Sequence, residues 1–210
     1  MKVLVVADEE ERLLYDCFKK ERVEGVELII ACGDLKAGYL DFLMTMVNVP
    51  MIYVMGNHDD AFIKKPPLGA VCIEDSIFEY GGYKFAGLGG CMRYNNRGIN
   101  MFTEKEMALR CIKLSIKAFF RGGVDVLVTH APAKGYGDLE DLPHRGYECF
   151  NKFLSKIKPL YMFHGHVHRN YYHALKVTYK HPSGCTIVNG FGYRIIDLPE
   201  KPVKGKKNEK

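Results

Sequence analysis

The chain has 210 residues, 47% of them hydrophobic, enough to bury one sizeable core and most simply one domain. Its net charge of +5 is gathered at one end: residues 201–210 hold five Lys and one Glu, which leaves residues 1–200 near neutral. That distribution argues against a nucleic-acid-binding body, and Asn48 and Pro50 interrupt the apolar stretch from Phe42 to Met55 before it is long enough to span a bilayer.

From its start, MKVLVVADEE enters a strand near 2–7 directly, without the longer apolar region and cleavage site of a secretory signal. A helix near 10–20, a strand near 27–32, a helix near 37–47 and a strand near 50–55 follow, a βαβαβ pattern with a parallel sheet. Residues 70–88 change character, with strand-like stretches around Asp75-Ser76 and Gly81-Gly82 that either extend the sheet or begin a second one. Thr103-Glu104-Lys105-Glu106 is a capping box opening a helix whose Met107, Cys111, Leu114 and Ala118 share one face, ending at Gly122-Gly123. A strand near 124–129, a polar loop to about His144, a helix near 146–157 and a strand near 159–163 come next. Residues 171–197 read as short strands, among them CTIVN and YRIIDL. No repeat or composition shift marks a second domain, so the expected organisation is one domain over 1–199 and a basic, disordered tail over 200–210. Seven cysteines, odd in number and without C-x-x-C spacing, fit buried thiols in a reducing cytosol. The expected location is therefore cytoplasmic, without membrane or nucleic acid as partner.

Five apolar runs each end in a residue type that binds metal. They are VLVVA before Asp8, LIIAC before Gly33-Asp34, MIYVM before Gly56-Asn57-His58-Asp59, VDVLVT before His130, and LYMF before His164-Gly165-His166-Val167-His168. Such runs read as strands covered on both faces, and ligands of open α/β sheets bind beyond the carboxyl ends of their strands. Taken singly, each motif also has a local backbone role to offer. Asp8 with Glu11 fits a helix N-cap, and Gly33-Asp34 and Gly56-Asn57 fit turns.

The five blocks, in this order and at these spacings, resemble the metallophosphoesterase family, also called calcineurin-like phosphoesterases. The resemblance spans positions 8–168 and implies a four-layer α/β/β/α sandwich of two mixed β-sheets flanked by helices. It also implies a centre of two divalent cations that hydrolyses a small phosphomonoester or phosphodiester by attack of a metal-bridging hydroxide. Asp34 matches the bridging carboxylate, in a chemistry whose ions stand roughly 3.5–4 Å apart. Asp8 and His168 complete one shell; Asn57, His130 and His166 complete the other. His58 matches the catalytic histidine that assists the leaving group, and Asp59 is expected to hold its ring in the useful tautomer.

The family pattern begins Asp-x-His, whereas this chain reads Asp8-Glu9-Glu10. Glu10 either favours a helix start or replaces imidazole as a metal ligand, and a carboxylate there suits Mn²⁺ or Mg²⁺ better than Zn²⁺. Mn²⁺ is the expected metal, with Fe, Mg²⁺, Ni²⁺ or Zn²⁺ as alternatives. In the loop Gly87–Gly98, Arg93 and Arg97 are candidates for the substrate phosphate, against a plain surface connection. The loop Pro132–Arg145 follows a ligand and is expected to shape the pocket. A non-catalytic scaffold on the same fold and a nuclease are the competing functions. Retention of Asp34, His58 and the histidine pair weighs against the first, the near-neutral body against the second. The sequence leaves the oligomeric state open.

Overall fold

The computed structural model describes residues 1–95, 98–168 and 175–201. Two sheets form its centre. In the first, β1 (Lys2–Ala7), β2 (Val26–Ala31), β3 (Met51–Tyr53) and β4 (Val71–Cys72) run parallel in that order, and β13 (Gly192–Asp197) pairs antiparallel with β1 on the outer side. In the second, β6 (Tyr83–Leu88), β9 (Val126–Thr129), β10 (Tyr161–His164) and β12 (Thr186–Asn189) run parallel, edged by antiparallel β5 (Ile77–Tyr80) and β11 (Thr178–Lys180). A short parallel pair, β7 (Cys91–Met92) and β8 (Met101–Phe102), stands apart.

Side-chain alternation along each strand builds the layers. Val3, Val5 and Ala7 of β1, with Leu28 and Ile30 of β2, pack against Phe85, Val126, Val128 and Phe163 of the second sheet. Their neighbours Leu4, Val6 and Ile29 turn the other way onto Tyr39, Leu40 and Leu43 of helix α1 (Ala37–Val47). On the far side, Leu127, Met162 and Ile187 meet helices α2 (Glu104–Phe120) and α3 (Glu148–Ile157). The result is the expected four-layer α/β/β/α sandwich of two mixed sheets. Both central sheets are covered on two faces, which is why their strands read as continuous apolar runs.

Local signals act as expected in α2. Thr103 Oγ1 accepts the Glu106 amide at 3.3 Å and Glu106 Oε2 accepts the Thr103 amide at 2.7 Å, while Met107, Cys111, Leu114 and Ala118 are buried. The helix expected near 10–20 is absent. Residues 12–17 form turns and only Lys20–Val23 makes a short 3-10 helix, because Asp8 takes a left-handed φ of 64° that breaks the proposed cap. Leu14 reaches the core from these turns, and Tyr15 packs edge-on against Tyr39 and Phe42. Five of the seven cysteines are buried as expected, whereas Cys17 and Cys72 are exposed. No described helix is long and apolar enough to cross a membrane. The tail residues 202–210 lie outside the described residues.

Candidate metal centre

Four parallel strands, β1, β2, β9 and β10, deliver their following residues to one place, and β3 adds the turn that begins at Gly56. The backbone there is unusual. Asp8, Asp34 and His166 all adopt left-handed conformations, with φ of 64°, 56° and 69°. Non-glycine residues rarely do so, and when they do the surrounding structure must hold them. Here hydrogen bonds between motifs do the holding. The Asp8 carboxylate accepts the His166 amide at 3.0 and 2.9 Å, and the Asp8 amide donates to Gly33 O at 3.1 Å. Asp34 Oδ1 accepts the His58 amide at 2.8 Å.

Glycines let these turns approach. A Cβ on Gly56 would stand 2.0 Å from Asp34 Oδ1, and one on Gly165 would stand 2.5 Å from Asp8 Oδ2. Asp59 fastens the same region from below. Its Oδ2 accepts the amides of Asp34 and Gly56, each at 2.8 Å, and burial pushes its carboxyl up to about 6. Among the described residues no hydrogen bond joins Asp59 to the His58 ring, so its carboxylate sets the two turns rather than the ring's tautomer.

His130 is fully buried with Nδ1 at 2.7 Å from the Cys32 carbonyl, which makes Nδ1 the donor. Its Nε2 faces Asn57 Oδ1 at 3.1 Å and Asp34 Oδ2 at 3.3 Å. His166 likewise donates Nε2–H to the Pro143 carbonyl at 2.8 Å, which leaves Nδ1 as its lone pair. The ligand atoms of Asp34, His130 and His166 lie within 4.8 Å of one another. So many acceptors facing each other repel unless a proton or a cation stands between them, and the donor set fits a divalent metal. Burial lowers the His130 pKa, but the Asp34 and Asp8 charges outweigh that and raise it to about 10. Burial raises Asp34, but the pairing and hydrogen bond with His130 pull it well below the carboxylate range. Burial pushes His166 down to about 3, keeping it neutral.

The second group is looser. His168 Nε2 stands 3.8 Å from Asp8 Oδ1, half-buried with its ring 4.8 Å from that of Phe191, and burial raises Asp8 to about 7. Val167 between them is fully buried, while His166 and His168 both face the site. A cavity of about 690 Å³ opens beside Asp8 and Asp34 and is lined also by Glu10, Lys36, His58 and Lys65. Glu10 Oε1 is 3.0 Å from Lys36 Nζ.

Arg93 does not reach this cavity. Its guanidinium donates to Met101 O and to Glu106 at 3.0 Å, because the capped start of α2 offers it a carboxylate. Arg97 lies outside the described residues. Three supports gave no sequence signal: the carbonyls of Cys32 and Pro143, and the ion pair of Glu74 with Arg110 at 2.5 Å. The Glu74 carboxylate also accepts the amides of Met55 and Gly89, and so braces the end of β3. The His144 ring stands 5.2 Å from that of His166, and Asp141 holds its Nδ1 at 2.6 Å.

The sequence pattern of the calcineurin-like phosphoesterases matches residues 1–170. The chain belongs to the calcineurin-like phosphoesterase family. It is also 28% identical over 104 residues to UPF0046 protein T07D4.2 of Caenorhabditis elegans, an alignment spanning 49% of this chain and 25% of that protein. The match thus covers about a quarter of that relative's length. The crystal structure of TT1561 of Thermus thermophilus superposes with a TM-score of 0.59 at 13% identity, covering 91% of this chain and 89% of that one. Another crystal structure superposes with a TM-score of 0.65 at 16% identity, covering 93% and 94%. At such identities the likeness establishes the fold.

Proposed function

We propose that the chain hydrolyses a small phosphomonoester or phosphodiester using two divalent cations. The observation that carries this reading is the gathering of the Asp34, His130 and His166 ligand atoms within 4.8 Å, beside a cavity lined by the exposed His58. Asn57, His130 and His166 would hold one cation and Asp8 and His168 the other, with Asp34 shared. When bound, the cations supply Lewis acidity toward the phosphoryl oxygens and lower the pKa of water.

His58 is the candidate proton donor to the leaving oxygen. Its amide is tied to Asp34 Oδ1, while its ring carries no hydrogen bond among the described residues and faces substrate space. Asp59 is the positioning residue, since one oxygen holds both the Asp34 and the Gly56 turns. The cavity of about 690 Å³ suits a small organic ester, and Lys36 and Lys65 on its wall complement an anionic one.

Glu10 is the further candidate ligand on the Asp8 side, where the Lys36 ammonium competes for it. A carboxylate in place of imidazole makes the centre less positive, so Mn²⁺ and an alkaline optimum are proposed. Glu10→His is then expected to move the optimum down. An unchanged pH profile would remove Glu10 from the shell.

The test assays protein reconstituted with Mn²⁺, Mg²⁺, Fe, Ni²⁺ or Zn²⁺ on aryl phosphomonoester, aryl phosphodiester and cyclic nucleotide substrates. Asp34→Ala and His58→Ala serve as controls, and metal content is measured on the same samples. Hydrolysis lost in both variants is expected. No activity with any metal, or activity that survives Asp34→Ala, would sink the proposal.

A further inference from the structure

Helix α2 carries an apolar stripe that nothing among the described residues covers. Leu109, Ile112 and Ile116 recur at helical spacing on its outer side, each more than half exposed, and Phe119 and Phe120 at its end are 79% and 80% exposed. Its opposite face, through Met107, Cys111, Leu114 and Ala118, already fills the core, so the stripe is not needed for packing. Contiguous exposed apolar surface of this kind marks a contact with an apolar partner.

The charges around the stripe select that partner. Lys113 lies within it, and Lys156 shares with Ile116, Phe119 and Ile157 the wall of a groove of about 570 Å³ between α2 and α3. Lys152 stands one turn before Lys156 on the same exposed side of α3. Among the described residues these three lysines have no carboxylate partner, whereas the nearby acids are engaged: Asp75 by Arg110 and Glu79 by Arg121. A second copy of the chain fits poorly, because a two-fold contact brings this lysine-bearing face against the same lysine-bearing face.

The most basic stretch of the sequence starts at the same end of α2. Lys201 Nζ bonds Asp125 Oδ2 at 2.5 Å and Gly82 O at 2.7 Å, and Lys84 Nζ donates to the carbonyl of Arg121, the residue after Phe120. Residues 201–210 bring five lysines against one glutamate. On the α2 face itself, the stripe sets apolar side chains able to enter a headgroup layer beside the cations of Lys113, Lys152 and Lys156, and anchoring to a bilayer takes two such signals.

We propose that the α2 face binds the surface of an anionic lipid bilayer. Phe119, Phe120 and the stripe enter the headgroup region, and Lys113, Lys152 and Lys156 meet the acidic headgroups. The contact is peripheral. Because β6 and β9 are parallel, the α2 that joins them returns toward their starts, so Phe119 and Phe120 lie at the end opposite His130. Docking there leaves the metal centre open to water.

Sedimentation of the full chain with vesicles of phosphatidylcholine alone, or mixed with phosphatidylserine, tests this. Binding to the mixed vesicles only is expected, weakening as salt rises. The double variant Phe119→Ser, Phe120→Ser should bind about tenfold more weakly or less, since it loses two aromatic anchors. The triple variant Lys113→Gln, Lys152→Gln, Lys156→Gln should show a flatter salt dependence. All these positions are exposed, and thermal melting of each variant separates lost binding from lost folding. Absence of binding to the mixed vesicles overturns the proposal, as does wild-type binding by both variants, which would leave the lysines of 201–210 acting alone. A dimer that the phenylalanine variant dissociates would assign the face to a second copy. Binding to duplex DNA without binding to vesicles would assign the lysines to nucleic acid.

Discussion

The two halves of the proposed metal centre differ in how far the fold has already assembled them. Around His130, each imidazole is buried with its tautomer set by a backbone carbonyl, and Asn57 and Asp34 approach Nε2 at 3.1 and 3.3 Å. Around Asp8, His168 is half-buried at 3.8 Å, and Glu10 is paired with Lys36. A half whose ligands are already ordered spends little of its binding free energy on organising them. The His130 half is therefore expected to hold its cation more tightly than the Asp8 half.

The largest effect tests what the halves share. Asp34→Ala is expected to lower turnover by about three orders of magnitude and to lose both ions in metal analysis, since it also strips His130 of its partner. Retention of both ions would separate the halves entirely. Gly56→Ala follows: its Cβ would stand 2.0 Å from Asp34 Oδ1. Chemical denaturation should show a loss of about 3 kcal/mol, because a rigid turn cannot give way.

Comparing His130→Ala with His168→Ala addresses the asymmetry itself. Equilibrium dialysis is expected to show loss of the tighter ion in the first variant and of only the weaker ion in the second. Equal losses would mean that the halves are not ranked as their geometry implies. A gentler probe is pH. In the metal-free protein His130 is raised to about 10, above its ordinary value of 6.5. Its pairing with Asp34 thus stabilises the fold fully below pH 6.5 and is lost as pH rises through about 10. Cation uptake must displace that proton, so apparent affinity should rise about tenfold per pH unit above neutrality, with about one proton released in calorimetry across different buffers. Proton release that persists above pH 8 in His130→Gln would refute the assignment, because Asp8, raised to about 7, has by then lost its own. Smallest is Asp59→Asn, which keeps an oxygen for the Asp34 and Gly56 amides. It should change stability by about 1 kcal/mol or less, whereas Asp59→Ala leaves two buried donors bare and should cost about 2–3 kcal/mol in the same denaturation assay.

The tightness of the better-ordered half was only partly legible in the sequence. The strands were readable because burial on both faces makes them continuous apolar runs, and the motifs because each stands at the end of such a run. Thr103 and Glu106 announced α2 through adjacent side chains. The segment after Asp8 misled for the same reason, since Asp8 and Glu11 have capping-box spacing while the left-handed turn at Asp8 serves a contact with His166. The carbonyls of Cys32 and Pro143, which set the tautomers, have no residue-type signature at all. For Arg93 the sequence leaves a substrate contact and a plain surface connection both open, because its partner Glu106 is contributed by a helix further along the chain. Interactions of this kind are specified by topology, and a linear pattern carries them only when both partners are sequence neighbours.

The placement of β1 bears on the order in which the molecule is made. This strand, which carries Asp8, lies between β2 and β13, and the Asp8 carboxylate is anchored by an amide 158 positions later. A growing chain therefore emerges from synthesis with one side of β1 as an unpaired edge until β13 appears. Closure of such a distant pairing is slow, and an exposed edge in the interval invites misassociation. The His130 half is complete once β10 and the turn after it exist, so a cation seated there early would tether the two sheets while the amino-terminal strand still waits for its outer neighbour.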